Sequence, residues 1–252
     1  MSGHSKWSSI KHKKGAADAK RGKLFSRLAK EIIISARDGG GDSDSNPRLR
    51  TAINNAKSVN MPNANIDRAI KRGTGEIDGA NYEHYMYEGY GQNGVAILVE
   101  CLTDNRNRTV GEVRHAFSKY GGNMAETGAV SWNFDQKGLI LIPVAELDED
   151  EVMMVALEAG AEDVALEHDF FEIITGSGEL HNVSTRLEKN GYTIEKAELT
   201  RIPKNSVKAD EVAEKLLKLI EMMEDLDDVQ TVFANFEISD EVMDRILDNS
   251  RS

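Results

Sequence analysis

The sequence predicts an α+β protein of three domains, an N-terminal three-helix bundle plus two ferredoxin-like α+β domains, one inserted in the other. Three observations favour this fold class. After an extended basic arm at 4–15, apolar residues recur at helical spacing from Ala16 to Gly73. Strand and helix patterns follow in the order β-α-β-β-α-β over 136–204, as in a split βαβ sandwich. The segments on either side, 79–135 and 205–238, each hold part of a further α+β unit that they complete together.

The first helix is predicted from Ala16 to the glycines at 39–41, which end it. Its apolar residues fall on one arc of the helical wheel, and most of its Lys and Arg residues fall on the opposite arc, which we expect to face solvent. Asn46-Pro47 begins a second helix, with Asn as N-cap and Pro at the first position. A third helix ends at Gly73, so the basic arm and bundle occupy 1–78.

The discontinuous α+β domain is predicted over 79–135 and 205–238. Tyr82–Tyr90 and Val95–Leu102 are strand candidates, joined by a tight turn at Asn93-Gly94. A helix at 107–120 and a strand at Val130–Phe134 follow. A helix and a strand after residue 205 complete the domain, and 239–252 is predicted to be a C-terminal tail.

Composition places the chain among soluble globular proteins. No apolar run approaches the ~18 residues that a membrane-spanning helix needs. The basic start lacks the apolar segment of a secretory signal, and the single cysteine, Cys101, excludes an internal disulfide framework. We therefore expect a cytoplasmic protein with no membrane partner.

Charge is strongly segregated along the sequence. Residues 1–75 hold 16 Lys/Arg and 6 Asp/Glu, a net charge of +10, whereas 76–252 carry a net charge of −22. A dense basic segment in an acidic protein is typical of a polyanion-binding element. The acidic remainder is unsuited to nucleic acid, but it offers a surface to a basic protein partner.

The candidate nucleic-acid-binding residues lie in the basic arm and along the first helix. They are Lys6, Trp7, Lys11, His12, Lys13, Lys14, Lys20, Lys23, Arg27 and Lys30. Their cations neutralise phosphates, which gives affinity but little sequence specificity. The alternative is a solvated basic helix face, and Trp7 either stacks on an unpaired base or packs on the bundle. The bundle carries further cations at Arg48, Arg50, Lys57, Arg68, Lys71 and Arg72.

Arg106 and Arg108 form a secondary candidate for phosphate contacts. They stand in the segment DNRNR at the start of the predicted helix 107–120, where a helix N-terminus and guanidinium groups favour an anion. The alternative is an Asp or Asn cap with surface arginines.

No catalytic, cofactor or metal site emerges from the sequence. Cys101 ends an apolar strand and fits a buried small hydrophobe better than a nucleophile. The histidines lack Cys or carboxylate neighbours at metal-ligand spacing, and no glycine-rich phosphate loop is present. We therefore expect a protein that is not an enzyme.

Four stretches carry a resemblance to a known family: GHSKWSSIKHKKGAADAKRGKLFSRLAKEI, NPRLRTAINNAKSVNMPNANIDRAIKRG, YEGYGQNGVAILVECLTDNRNRTVGEVRHAF and YGGNMAETGAVSWNFDQKG. In this order they resemble the YebC family over essentially the whole chain. That family includes bacterial proteins described as transcriptional regulators and a mitochondrial relative that activates translation of a cytochrome oxidase subunit. The resemblance implies the same three domains. It also implies DNA binding or, for members that act on ribosomes, help with difficult translation such as proline runs.

The sequence thus favours a non-enzymatic, DNA-binding transcriptional regulator that contacts phosphate through its basic N-terminal domain. One alternative is a ribosome-associated translation factor that places the same cations on ribosomal or transfer RNA. Another is a protein–protein adaptor that uses the acidic α+β domains.

Overall fold

The computed structural model describes residues 18–144, 147–167 and 169–249. Eight α-helices lie within these residues: α1 (Asp18–Gly39), α2 (Pro47–Ser58), α3 (Asn63–Gly73), α4 (Arg106–Lys119), α5 (Glu149–Ala159), α6 (Leu180–Lys189), α7 (Ala213–Glu224) and α8 (Asp240–Asn249). The strands are β1 (Glu83–Tyr90), β2 (Ala96–Thr103), β3 (Asn123–Ala125), β4 (Phe134–Pro143), β5 (Asp163–Glu167), β6 (Phe170–Gly176), β7 (Lys196–Pro203), β8 (Val207–Lys208), β9 (Val229–Ala234) and β10 (Phe236–Glu237).

The described chain divides into two compact units. One is formed by the chain up to Asn133 together with the chain from Pro203, and the other is Phe134–Ile202. The sequence placed the inserted domain at 136–204, close to the second unit. The helical bundle and the discontinuous α+β domain, predicted at 79–135 and 205–238, lie together in the first unit.

Helices α1, α2 and α3 form the N-terminal bundle. Its core is aliphatic, with Ile32, Leu49 and Ile66 among the buried side chains. Asn46 begins α2 as predicted: its side-chain oxygen accepts the Leu49 N–H at 3.1 Å, and its amide nitrogen donates to the carbonyl of Ser35 in α1 and to that of Gly40 just after α1. One asparagine therefore fixes both the start of α2 and the end of α1.

The sheet of the first unit has the order β3-β1-β2-β9, and its neighbouring strands are antiparallel. Since β2 and β3 flank β1, they run parallel, and α4 connects them as in a split βαβ unit. Helices α4 and α7 supply the apolar layer over this sheet, with Phe117, Leu216 and Ile220 fully or almost fully buried.

The third strand of this sheet corrects the prediction of a strand at Val130–Phe134. The structure pairs Asn123–Ala125 with β1 instead, and Ser131–Asn133 forms a short 3-10 turn. The buried carboxylate of Glu88 explains the turn, because it accepts backbone N–H groups from Gly128, Val130 and Ser131 at 2.7–2.9 Å. Backbone groups bonded to this carboxylate are not available for a strand ladder.

The predicted C-terminal tail at 239–252 is also corrected. Helix α8 occupies Asp240–Asn249, and Met243 is buried in the core of the first unit. Before it, β10 pairs in parallel with β8. The chain after the sheet is therefore folded where the sequence suggested a tail.

The second unit follows the β-α-β-β-α-β order, with a sheet ordered β5-β6-β4-β7. Helices α5 and α6 bury Val152, Ala156, Val183 and Leu187 in a core of their own. This is the strand order of a ferredoxin-like sandwich, and the predicted α+β fold class is confirmed. Across the described ranges, no helix is long and apolar enough to cross a membrane.

Candidate nucleic-acid interface

The candidate residues of the basic arm lie outside the described residues. These are Lys6, Trp7, Lys11, His12, Lys13 and Lys14; Lys20 stands in α1, but its side chain is likewise not described. Their role in binding nucleic acid stays a prediction. The structure places the other candidates, Lys23, Arg27 and Lys30 on α1 and Arg106 and Arg108 on α4.

Lys30 does not face solvent, so the expected outward orientation of the cationic arc is wrong for this residue. Only 9% of Lys30 is exposed. Its ammonium donates to Asp228 Oδ1 at 3.0 Å and to the carbonyls of Asp227 at 2.9 Å and Leu102 at 3.2 Å. These three acceptors use the three donors of the ammonium, so Lys30 joins α1 to the α+β domain and has no donor left for a phosphate.

Arg27 and Lys23 continue the same contact toward the start of α1. The Arg27 guanidinium donates to the Glu224 carbonyl, and the Lys23 ammonium donates to the Asp225 carbonyl. Both carbonyls belong to the C-terminal end of α7, where the helix dipole favours cations. Burial lowers the pKa of the Arg27 guanidinium, opposed by the nearby acidic side chains.

The basic residues of α1 pack against the C-terminal end of α7. A helical wheel of α1 cannot predict this contact. The periodicity separates apolar from basic residues correctly, but it does not say what packs against the basic arc. Here that partner is the acidic segment 224–228, more than 190 residues away in the sequence. The basic face of α1 thus forms an internal contact of the first unit.

Asp228 is the acceptor around which this contact is organised. Its side chain is 2% exposed. Its Oδ2 accepts from Arg108 Nη2 at 2.7 Å, from Thr109 Oγ1 at 2.9 Å and from Thr103 Oγ1 at 3.1 Å. Burial alone raises the pKa of the Asp228 carboxyl, but the hydrogen bonds from Arg108 and Lys30 outweigh it, so the pKa lies below its ordinary value.

The Arg108 guanidinium therefore donates hydrogen bonds to Asp228 and also to Asp104 Oδ1, the latter at 3.0 Å. These hydrogen bonds raise the pKa of its guanidinium. Asn105 caps α4 by accepting the Arg108 N–H at 3.1 Å, which matches the alternative of a capped helix. Arg106 is exposed and lies over the ring of Tyr85, with its guanidinium carbon 5.3 Å from the ring centroid.

Three exposed cations of the bundle lie on α3, outside the set of candidates predicted from the sequence. Arg68, Lys71 and Arg72 share one face of the helix at spacings of three and four residues, and Lys57 is exposed on α2. Within the described parts of the chain, no hydrogen bond or salt bridge engages these four side chains. The sequence indicated that the cations of α3 are exposed, because they lie on the side of the helix opposite the apolar Ile66 and Ala69, which are buried.

A groove of about 200 Å³ lies beside this face, between α1 and α3. Arg68, Arg72 and Asn65 line one side, and Phe25 and Ala29 line the other. The geometry thus combines free guanidinium groups with an apolar cleft.

Cys101 and the acidic and histidine side chains are also candidates for reactive or metal-binding groups among the described residues. Cys101 is buried, and burial raises the pKa of its thiol to about 12, so the reactive thiolate is scarce at neutral pH. Among the residues the structure describes, no three His, Cys, Asp or Glu side chains are grouped to hold a metal ion.

Two models of known protein families match this chain. The family model for the N-terminal domain of TACO1/YebC proteins matches residues 5–76, and the model for their second and third domains matches residues 82–236. The chain belongs to the TACO1/YebC family. The first match spans the predicted basic arm and bundle, and the second spans both α+β domains.

Proteins from several bacteria are similar to this chain over almost its whole length. A protein of Persephonella marina, named "Probable transcriptional regulatory protein", is 56% identical over 249 residues, which cover 98% of this chain and 100% of that protein. A protein of Geobacter sulfurreducens with the same description is 56% identical over 248 residues, covering 98% and 100% of the two chains. The crystal structure of a conserved hypothetical protein, Aq1575 from Aquifex aeolicus, is 50% identical, with a TM-score of 0.84 over 90% of this chain and 94% of that one.

Proposed function

We propose that this TACO1/YebC protein is a non-enzymatic, DNA-binding transcriptional regulator that contacts phosphate through its N-terminal domain. The relatives' names support a regulatory role. The observation that carries the proposal is the row of exposed cations on α3, free of partners among the described residues, in the basic part of an acidic protein.

The contact surface differs from the one expected from sequence. Lys30 is withdrawn from it because its ammonium is buried against Asp228. Lys23 and Arg27 contribute less than expected because the end of α7 already binds them. The surface we propose comprises the arm cations with Trp7 and His12, and the exposed bundle cations Lys57, Arg68, Lys71 and Arg72; Arg106 is a secondary contact.

The negative charge of the α+β domains supports a contact surface in the N-terminal domain. Residues 76–252 carry a net charge of −22. This charge repels a polyanion and so favours its binding to the basic N-terminal residues 1–75. We expect the protein to act in the cytoplasm, where its target is accessible.

The test measures the salt dependence of binding to duplex DNA. Each phosphate neutralised contributes about −0.9 to the slope of log K against log salt. Replacing Lys57, Arg68, Lys71 and Arg72 by Ala should make the slope less steep by about 3 to 4, through the loss of four contacts.

The matched control removes four exposed cations elsewhere, at Arg114, Lys189, Lys215 and Lys218. Both variants lose the same net charge, so a nonspecific charge effect changes both slopes equally. Equal slopes for the two variants, or binding that does not respond to salt, would count against the proposed surface.

A further inference from the structure

The groove between α1 and α3 has a floor and a rim of different chemistry. Ile33, Met61 and Ala69 form a buried apolar floor, and Phe25 and Ala29 form a half-buried wall. Apolar and aromatic surface of this kind gains free energy when a flat ring covers it, and a nucleobase offers such a ring.

The rim carries exposed polar groups. Arg68 and Arg72 stand one helical turn apart, and Asn65 precedes Arg68 by three residues on the same helix. The Asn65 amide offers both a donor and an acceptor, which suits the edge of a base. Two guanidinium groups beside it suit the adjoining phosphate. No acidic side chain is present among the described residues that line the groove.

We propose that this groove binds one unpaired nucleotide of a single-stranded nucleic acid, with the base on the apolar floor and the phosphate at Arg68 and Arg72. The proposal rests on the proposed function and adds to it, because the rim cations contact the phosphates of either form while the groove holds a base wherever one is unpaired. Charge complementarity and the polar rim favour a nucleotide over a purely apolar occupant.

The size of the groove supports a single base. Its volume of about 200 Å³ is below the roughly 300–1,000 Å³ typical of pockets for drug-sized ligands. A paired base within a duplex does not reach such a cleft without being extruded, which costs unstacking free energy. The groove therefore discriminates against duplexes, whereas the cations on the rim attract both forms.

The test uses Ser26→Leu in the full-length protein. Ser26 is exposed on the rim, and its hydroxyl donates only within α1, to the Gly22 carbonyl at 3.1 Å. Leucine at this position narrows the groove and leaves every charge in place. The matched control is Asn54→Leu, an exposed position on α2 that does not line the groove.

Binding is measured by fluorescence anisotropy with a labelled oligonucleotide of about 12 nucleotides, a length within the range of known single-strand sites. The same sequence is tested single-stranded and as a duplex, in DNA and in RNA. We expect Ser26→Leu to raise the Kd for the single strand about tenfold, the loss of one stacked base. The Kd for the duplex should not change, and Asn54→Leu should change neither.

An equal effect of Ser26→Leu on both forms, or no effect, would overturn the groove proposal and leave the proposed function standing. Absence of any binding by the wild-type protein would instead overturn the proposed function. Photo-crosslinking of the wild-type protein to a single strand that contains 5-iodouracil gives an independent result. We expect the crosslink at Phe25; a crosslink confined to other regions of the chain contradicts the proposal.

Discussion

Lys30 shows how a residue that looks like a phosphate ligand in the sequence becomes part of the protein's interior. Its ammonium and the Asp228 carboxylate lie 3.0 Å apart with side chains 11% and 2% exposed. Removing one partner of such a pair leaves an uncompensated buried charge, which is costly. The pair is therefore expected to hold α1 against the α+β domain.

At this scale we predict that Asp228→Ala lowers the free energy of unfolding by about 3–5 kcal/mol, because Lys30 and Arg108 lose a shared buried acceptor. Urea denaturation measures the change. Asp227→Ala is the control, since its side chain is 92% exposed, and we expect a loss below about 1 kcal/mol.

The same carboxylate gives a pH signature. Its pKa is lower in the folded protein than in the unfolded chain, so its stabilisation is present above the unfolded value of about 3.9 and is lost as the pH falls through the folded value. The difference between wild type and Asp228→Ala should therefore shrink below about pH 4. A difference that stays constant down to pH 2 would contradict this account of Asp228.

At the scale of elements, the bundle depends on a close approach between α1 and α3. A Cβ built on Gly73 would lie 2.4 Å from the Ile33 carbonyl oxygen and 2.7 Å from the Ala36 Cβ. Both obstacles belong to α1, and one of them is backbone, so neither can rotate away. The glycine that the sequence suggested only as a helix end also permits the two helices to touch.

We predict that Gly73→Ala lowers the free energy of unfolding by about 1–3 kcal/mol through this overlap. Gly22→Ala, in α1, is the matched control, because nothing lies within 4 Å of its added Cβ. That change should raise the free energy of unfolding by about 0.5–1 kcal/mol, since alanine favours a helix. Chemical denaturation measures the free energy of unfolding of both variants. A change in the same direction for Gly73→Ala and Gly22→Ala would refute the close contact at Gly73.

Elements with a clear local signal were predictable from the sequence. Asn46-Pro47 marked the start of α2, and the hairpin at Asn93-Gly94 placed β1 and β2, with Asn93 at a positive φ of 57°. The third strand was not predictable, because β3 has only three residues, Asn123–Ala125, and a weak apolar pattern. Val130 is an apolar residue and was therefore predicted to lie in a strand. It is held instead in the turn around Glu88, and this contact between distant residues has no signal in the sequence.

At the scale of the whole molecule, the sequence shows that basic and acidic residues are segregated. It does not show which basic residues form internal contacts and which stay exposed. The net charge of +10 over residues 1–75 drew attention to the bundle. Composition cannot tell which of these cations are consumed by internal contacts. Lys23, Arg27 and Lys30 bind the end of α7 and the segment that follows it, whereas Arg68, Lys71 and Arg72 stay exposed.

The most direct test of the central claim is crosslinking of the protein to nucleic acid in cells, followed by sequencing of what is bound. We expect enrichment of promoter DNA with the wild-type protein, and loss of this enrichment when Lys57, Arg68, Lys71 and Arg72 are replaced by Ala. Recovery of ribosomal or transfer RNA without promoter enrichment would contradict a role in transcription. Undiminished recovery with the substituted protein would contradict the surface assigned to the bundle.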